Sequence, residues 1–196
     1  QELHQFLREP STYPDRTSAV SLKETHISWV FLTDSKAYKL KKPVRFPFLD
    51  YSTPELRLHA CREELRLNRR LAPNVYLDIV PVTLTGDGKL QIGRDGQVVE
   101  YCVEMQRLPA ERILDRLIAE GVATPAHIER LLDVLLPFYA AADRGPEIVR
   151  HATAEAIEAN ARQNLSLIDS SGHGLSRPML KRVRASQLQF LRLSAS

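Results

Sequence analysis

The stretch A-Y-K-L-K-K-P, Ala37 to Pro43, decides how this chain is read: it has the punctuation of a strand, yet three of its seven residues are lysines. Side chains alternate faces along a strand, so Ala37, Lys39 and Lys41 share one side and Tyr38, Leu40 and Lys42 the other. Tyr38 and Leu40 are the expected core-facing pair. The lysine side is either solvated, as edge-protecting lysines are, or turned toward something that needs a fixed positive charge.

Strand signals surround this stretch. Before it come the apolar run Val20 to Leu22, the polar K-E-T-H-I-S, then Trp29 to Thr33 and a turn at Asp34-Ser35-Lys36. After the loop P-V-R-F-P-F-L-D-Y a helix start is well marked. Ser52 or Thr53 can cap it, Pro54 suits its first position, and Glu55 complements the helix dipole. The spacing predicts a helix to Leu71, stopped before Pro73. Val75 to Leu84, Lys89 to Ile92 and Val98 to Met105 then read as antiparallel strands, separated by G-D-G and by Gly93 and Gly96.

From Pro109 the periodicity turns helical: Glu111 to Ala119, Pro125 to Ala142, Ala152 to Ile168 and Pro178 to Leu193 are the expected helices. Strands first and helices afterwards argue for an α+β fold rather than a parallel α/β sheet. The expected organisation is an N-terminal segment over 1–19, a strand-rich lobe with one inserted helix over 20–108, and an incomplete helical lobe over 109–196.

On a wheel at 100° per residue, Leu56, Ala60, Leu67 and Leu71 make one apolar arc of the inserted helix. Leu58, Cys61, Leu65 and Ala72 make another, and the basic residues cover the solvent side. Glu64 falls between the two arcs, in a notch with Arg57 and Asn68. A carboxylate turned toward packed surface needs a cation, because burying it alone is costly. Arg57 could supply it locally, and so could Lys39 from the preceding strand, with Lys41 as a fallback. A strand lysine paired with a helix glutamate, ahead of a helical lobe, is the protein-kinase arrangement, in which the lysine grips nucleotide phosphates and the glutamate holds the lysine.

Five blocks carry a wider likeness: E-T-H-I-S-W-V-F-L, A-Y-K-L-K-K-P-V, F-L-D-Y-S-T, E-L-R-L-N-R-R-L-A-P-N-V-Y-L and V-E-Y-C-V-E-M-Q-R-L-P. From about Leu22 to the Asn160–Gln163 region the chain resembles a bacterial family related to aminoglycoside phosphotransferases. In many members this kinase-like domain is fused to a C-terminal P-loop ATPase or kinase domain. The resemblance implies a kinase-like fold, ATP and Mg2+ as cofactors, and a small-molecule acceptor. Lys39 would hold the ATP phosphates and Glu64 would orient Lys39. Ser28 and His26 would lie in the phosphate loop, for which the bland reading is a capped turn. Met105, Gln106, Arg107 and Leu108 would line the adenine, where the alternative is an apolar strand end.

Phosphoryl transfer also needs an aspartate to orient the nucleophile and oxygen ligands for magnesium. Relatives supply them through H-G-D-L-H-x-x-N, which does not occur here. Gly172-His173-Gly174 is followed by Leu175 instead of the aspartate, and it reads as a loop. The expectation is therefore the N-terminal part of an ATP-dependent phosphotransferase, with the catalytic loop and main metal ligands beyond Ser196 and no catalysis by this chain alone. The alternative is a non-catalytic, nucleotide-binding or regulatory module of a multidomain protein.

Composition agrees with these classes and excludes others. The net charge of +3, from 27 basic and 24 acidic residues, permits an anionic ligand without arguing for nucleic acid. Lys181, Arg182 and Arg184, with Arg177 nearby, could touch RNA but read more simply as a solvated helix face. Two cysteines make no disulfide framework or metal-ligand spacing, so a reducing cytoplasm is the expected location. No apolar run reaches the roughly 20 residues that span a bilayer.

Overall fold

In the computed structural model, which describes residues 2–93, 95–170 and 176–194 (for 169, 170 and 191–194 the backbone alone), hairpin closure builds the first strands. β1 (Ser21–Glu24) turns into β2 (Ser28–Leu32) through a tight turn. There Thr25 N–H donates to the Ser28 carbonyl at 2.9 Å and Thr25 Oγ1 accepts from Ser28 N–H at 3.0 Å. A second turn, closed by Thr33 N–H on the Lys36 carbonyl at 2.9 Å, leads into β3 (Lys36–Lys41). The lysine-rich stretch is thus a strand, and it lies inside the sheet rather than at an edge.

The sheet has six antiparallel strands in the order β1-β2-β3-β8-β6-β7, with β6 (Tyr76–Leu84), β7 (Leu90–Ile92) and β8 (Gln97–Gln106) completing it. β4 (Arg45–Phe46) and β5 (Leu49–Asp50) form a separate two-stranded hairpin within P-V-R-F-P-F-L-D-Y, where a loop is expected from the sequence. A register shift between Val82 and Thr83 bends the β6–β8 ladder. The adjoining turn requires glycine at Gly96, where φ is +108° and an added Cβ would stand 2.5 Å from the Leu84 carbonyl oxygen.

Register assigns the faces. Phe31 pairs with Tyr38, and Leu40 pairs with Trp29 on one side and Cys102 on the other, so these residues share one face. The N-terminal segment covers that face. α1 (Glu2–Phe6) and the turn that follows it bring Leu7 and Tyr13 into a core with Phe31, Tyr38, Leu40, Val82 and Cys102. Burying each large apolar side chain in such a cluster contributes about 1.5–3 kcal/mol. The Tyr13 hydroxyl donates to the Leu7 carbonyl at 2.5 Å, and its ring lies 4.7 Å from that of Tyr38. Burial pushes both hydroxyls well above the usual tyrosine range. The expected core-facing pair, Tyr38 and Leu40, is buried as the alternation requires.

The opposite face carries Ser28, Val30, Lys39 and Lys41, with Val103 paired to Lys39. Helix α2 (Pro54–Asn68) packs against β6 and β8. The α+β class follows directly from this order of elements. α3 (Leu114–Ala119) and α4 (Pro125–Ala140) continue the chain, and the Arg70 guanidinium lies 4.6 Å over the Phe138 ring.

By its contacts the chain divides into two compact units, 1–139 and 140–196. The second, taken by itself, holds α5 (Pro146–Val149), α6 (Ala154–Ser170) and α7 (Arg177–Ser194), with α6 and α7 packed together. α5 was not expected. Gly172-His173-Gly174 lies outside the described residues. Among the described residues no helix is long and apolar enough to cross a membrane.

Candidate functional site

Helix α2 begins where its sequence says it should. Thr53 caps it, its hydroxyl accepting from Leu56 N–H at 3.4 Å, with Pro54 at the first position and Glu55 in the first turn. One turn on, Arg57 fixes how the helix is rotated. Its Nε and Nη2 both reach Glu100 Oε2 on β8, at 2.8 and 2.5 Å, and its Nη1 donates to the Tyr51 carbonyl at 2.7 Å. The expectation that Arg57 could partner Glu64 is thereby corrected: a buried carboxylate on the central strand claims it. A helix wheel cannot see a partner that lies 43 residues away.

Glu64 stands two turns beyond Arg57 on the same side of α2, and there it meets the lysine face of β3. Its Oε1 accepts from Lys39 Nζ at 2.8 Å and its Oε2 from Lys41 Nζ at 2.7 Å. The structure therefore brings Lys39 and Glu64 together, and it adds Lys41 as an equal partner where the sequence offered it only as a fallback. The three side chains differ in access: 27% of Lys39, 12% of Glu64 and 4% of Lys41 is exposed. Tyr51 backs Lys41, its ring centroid 5.0 Å from Nζ, as a cation–π contact.

Charge explains why this cluster holds. Burial by itself would raise the Glu64 carboxyl, but the hydrogen bonds and charges of Lys39 and Lys41 outweigh it and hold the group below the ordinary carboxylate range. Burial likewise opposes the Lys41 ammonium, and Glu64 more than offsets it, holding Lys41 above its ordinary value. Two ammoniums on one carboxylate leave a net charge of +1, so the cluster can still receive an anion through its more accessible member, Lys39.

The remaining expected residues are placed less uniformly. Ser28 is fully buried on the lysine face, opposite Lys41, and among the described residues its Oγ is the one buried side-chain polar atom without a hydrogen-bond partner. Its N–H is engaged by Thr25 Oγ1 within the turn. His26 is exposed at the tip of the same hairpin. Met105 is half-buried between Ala37 and Tyr76 on the neighbouring strands. The backbone N–H groups of Gln106 and Arg107 are spent inside the protein, on the Val75 carbonyl at 2.8 Å and the Ser35 carbonyl at 2.9 Å. The Arg107 side chain also donates to the Thr33 carbonyl, and Leu108 is 57% exposed. Of the four residues from Met105 to Leu108, Gln106 and Arg107 therefore have no free main-chain donor.

Magnesium finds no ligand set here: among the described residues no three His, Cys, Asp or Glu side chains cluster, and both Glu64 oxygens are occupied by lysines. Cavities of about 270 Å3, lined by Leu58, Arg62, Ile79, Pro81, Val98 and Tyr101, and about 630 Å3, between α1 and the β6–β7 hairpin, include none of the expected residues.

The apolar arc of Leu56, Leu67 and Leu71 on and beyond α2 is a second correction. These residues are 39%, 46% and 42% exposed while Ala60 of the same arc is half-buried, and the buried side of the helix runs through Arg57 and through Cys61 of the second arc.

No family model matches the chain, and no solved structure matches it. Uncharacterized proteins of Mycobacterium tuberculosis and of Mycobacterium bovis are each 29% identical to it over 147 residues. That alignment covers 75% of this chain and 28% of theirs, so the chain spans little more than a quarter of the length of the curated relatives it matches.

Proposed function

We propose that the lysine face of the sheet binds the phosphates of ATP, and that the chain is the N-terminal, nucleotide-binding part of a phosphotransferase with a kinase-like fold. One observation carries the reading: the Lys39 ammonium, on the third strand of an antiparallel sheet, is held at 2.8 Å by Glu64 of the helix that follows. Lysine suits the task as a compact charge on a flexible stem that can swing between a carboxylate and a phosphate. The glutamate limits that swing, so less side-chain freedom is lost on binding. Lys39 would grip phosphate oxygens, Glu64 would set its direction, and Ser28 lies fully buried on the same face with an uncommitted hydroxyl. An acceptor small molecule and the residues that act on it belong to the whole protein and are part of the proposal.

Titration of MgATP into the full chain and into Lys39→Ala tests this. Loss of one charged contact to phosphate is expected to weaken binding by about tenfold or more, from roughly 1.5–3 kcal/mol for such a hydrogen bond. Lys39 is over a quarter exposed, so the variant should keep its unfolding temperature within a few degrees. Equal affinity in a folded Lys39→Ala would remove Lys39 from the site.

A further inference from the structure

Lys39 and Lys41 share one carboxylate, but they are not equivalent. Two residues apart on one strand, their Cα atoms are separated by about 6.8 Å, and Glu64 spans the gap with one oxygen for each. Lys41 is 4% exposed, packed against Tyr51, and has Glu64 as its counter-ion. Lys39 is 27% exposed on the same carboxylate.

Were Lys39 the sole partner of Glu64, its departure toward a ligand would strand a buried carboxylate. Removing one member of a buried pair is among the costliest local changes in a protein. With Lys41 in place, Glu64 keeps a charge-assisted hydrogen bond of 2.7 Å whatever Lys39 does. The reverse exchange is disfavoured, because Lys41 is buried and would have to leave the interior to meet a ligand, whereas Lys39 already reaches the surface.

We propose that Lys41 is the permanent partner of Glu64 and Lys39 the exchangeable one, so that Lys41 is a positioning residue that holds the carboxylate in place while Lys39 turns to a nucleotide phosphate. The proposal rests on the nucleotide-binding reading above. It assigns to the second lysine of K-L-K a role different from that of the first, and it makes the cluster a relay in which one charge stays and one moves.

Side-chain ammonium NMR on the full chain, with and without MgATP, reads the two lysines separately. The expected result is a Lys41 resonance that stays in place and slow to exchange with water, and a Lys39 resonance that shifts on binding. In parallel, MgATP affinity is measured for Lys41→Met, Glu64→Gln and the double variant, with folding checked by circular dichroism. Lys41→Met should weaken binding about tenfold and add little in the Glu64→Gln background, because it acts through Glu64. If Lys41→Met does not fold, the NMR comparison on the unaltered chain decides alone. A Lys41 resonance that shifts while that of Lys39 does not, or a folded Lys41→Met with undiminished affinity, overturns the assignment of roles yet leaves nucleotide binding standing. No MgATP binding by the unaltered chain overturns the functional reading itself.

Discussion

Replacing Arg57 by leucine isolates the contact that orients helix α2. Arg57 is 6% exposed and Glu100 5%, and two guanidinium hydrogen bonds and an ion-pair contact join the helix to β8 and to the Tyr51 carbonyl. Arg57→Leu would leave the Glu100 carboxylate buried with no cation, a change that costs about 3–5 kcal/mol. Against a total stability of about 5–15 kcal/mol this is a large fraction. At about 2–4 °C per kcal/mol for a chain of this size, the unfolding midpoint should fall by about 6–20 °C. The double variant Arg57→Leu/Glu100→Leu removes the stranded charge and should recover most of the loss, since an apolar pair of similar volume often replaces a buried ion pair at little cost. Thermal and urea unfolding followed by circular dichroism gives both numbers. A loss below about 1 kcal/mol for the single variant would place the pair in the range of solvated surface bridges. A double variant as unstable as the single would mean that the lost packing of the arginine stem, rather than the stranded carboxylate, carries the cost. Either result would refute the reasoning.

The Glu64 cluster sets a pH window. Its carboxyl lies below the ordinary 4.5, so the stability it contributes is complete above that value and is lost as pH falls through the lower folded value. Lys41 lies above its ordinary 10.5, so its share is complete below that and is lost as pH rises further. Urea unfolding of the unaltered chain and of Glu64→Gln should differ by a constant amount between these limits, with the difference narrowing in acid; a difference that grows in acid would contradict the sign. Cys61 and Cys102 are fully buried, and burial pushes the Cys61 thiol up to about 11 and that of Cys102 higher still. Reaction with a chromogenic disulfide reagent should therefore be slow in the folded chain and complete in denaturant; rapid native labelling of Cys61 would show that α2 opens from the sheet, and that of Cys102 that the N-terminal segment lifts from the opposite face.

Local chemistry made much of the first unit legible. The Thr53-Pro54-Glu55 start, the alternation through Tyr38 and Leu40, and the turns at Asp34-Ser35 and Gly86-Asp87-Gly88 are signals carried within a few residues, and the elements they announce are present. The meeting of Lys39 and Glu64 was also accessible, because a carboxylate between two apolar arcs demands a cation and few were in reach. Partners set by the sheet were not. Glu100 reaches Arg57 across 43 residues, and no local pattern marks a strand glutamate as buried. Lys41, on the same strand face, is only a fallback for Lys39 in the sequence, and becomes a partner in its own right once α2 lies over that face. The N-terminal residues did carry a sign: Leu3, Phe6 and Leu7 repeat at helical spacing, and the structure uses them to close the core. The exposed Leu56, Leu67 and Leu71 show the limit of a wheel, which finds apolar arcs but not which of them is covered.

The central claim is that Lys39 holds phosphate, and the dependence of its effect on phosphate tests it most directly. The affinities of ATP, ADP and adenosine are compared between the unaltered chain and Lys39→Ala under identical salt. The expected result is a loss of about tenfold or more for ATP and ADP, with adenosine unchanged and the unfolding temperature preserved. An equal loss for adenosine, or no loss for ATP, would contradict the claim, leaving the Lys39–Glu64–Lys41 cluster as a structural ion network.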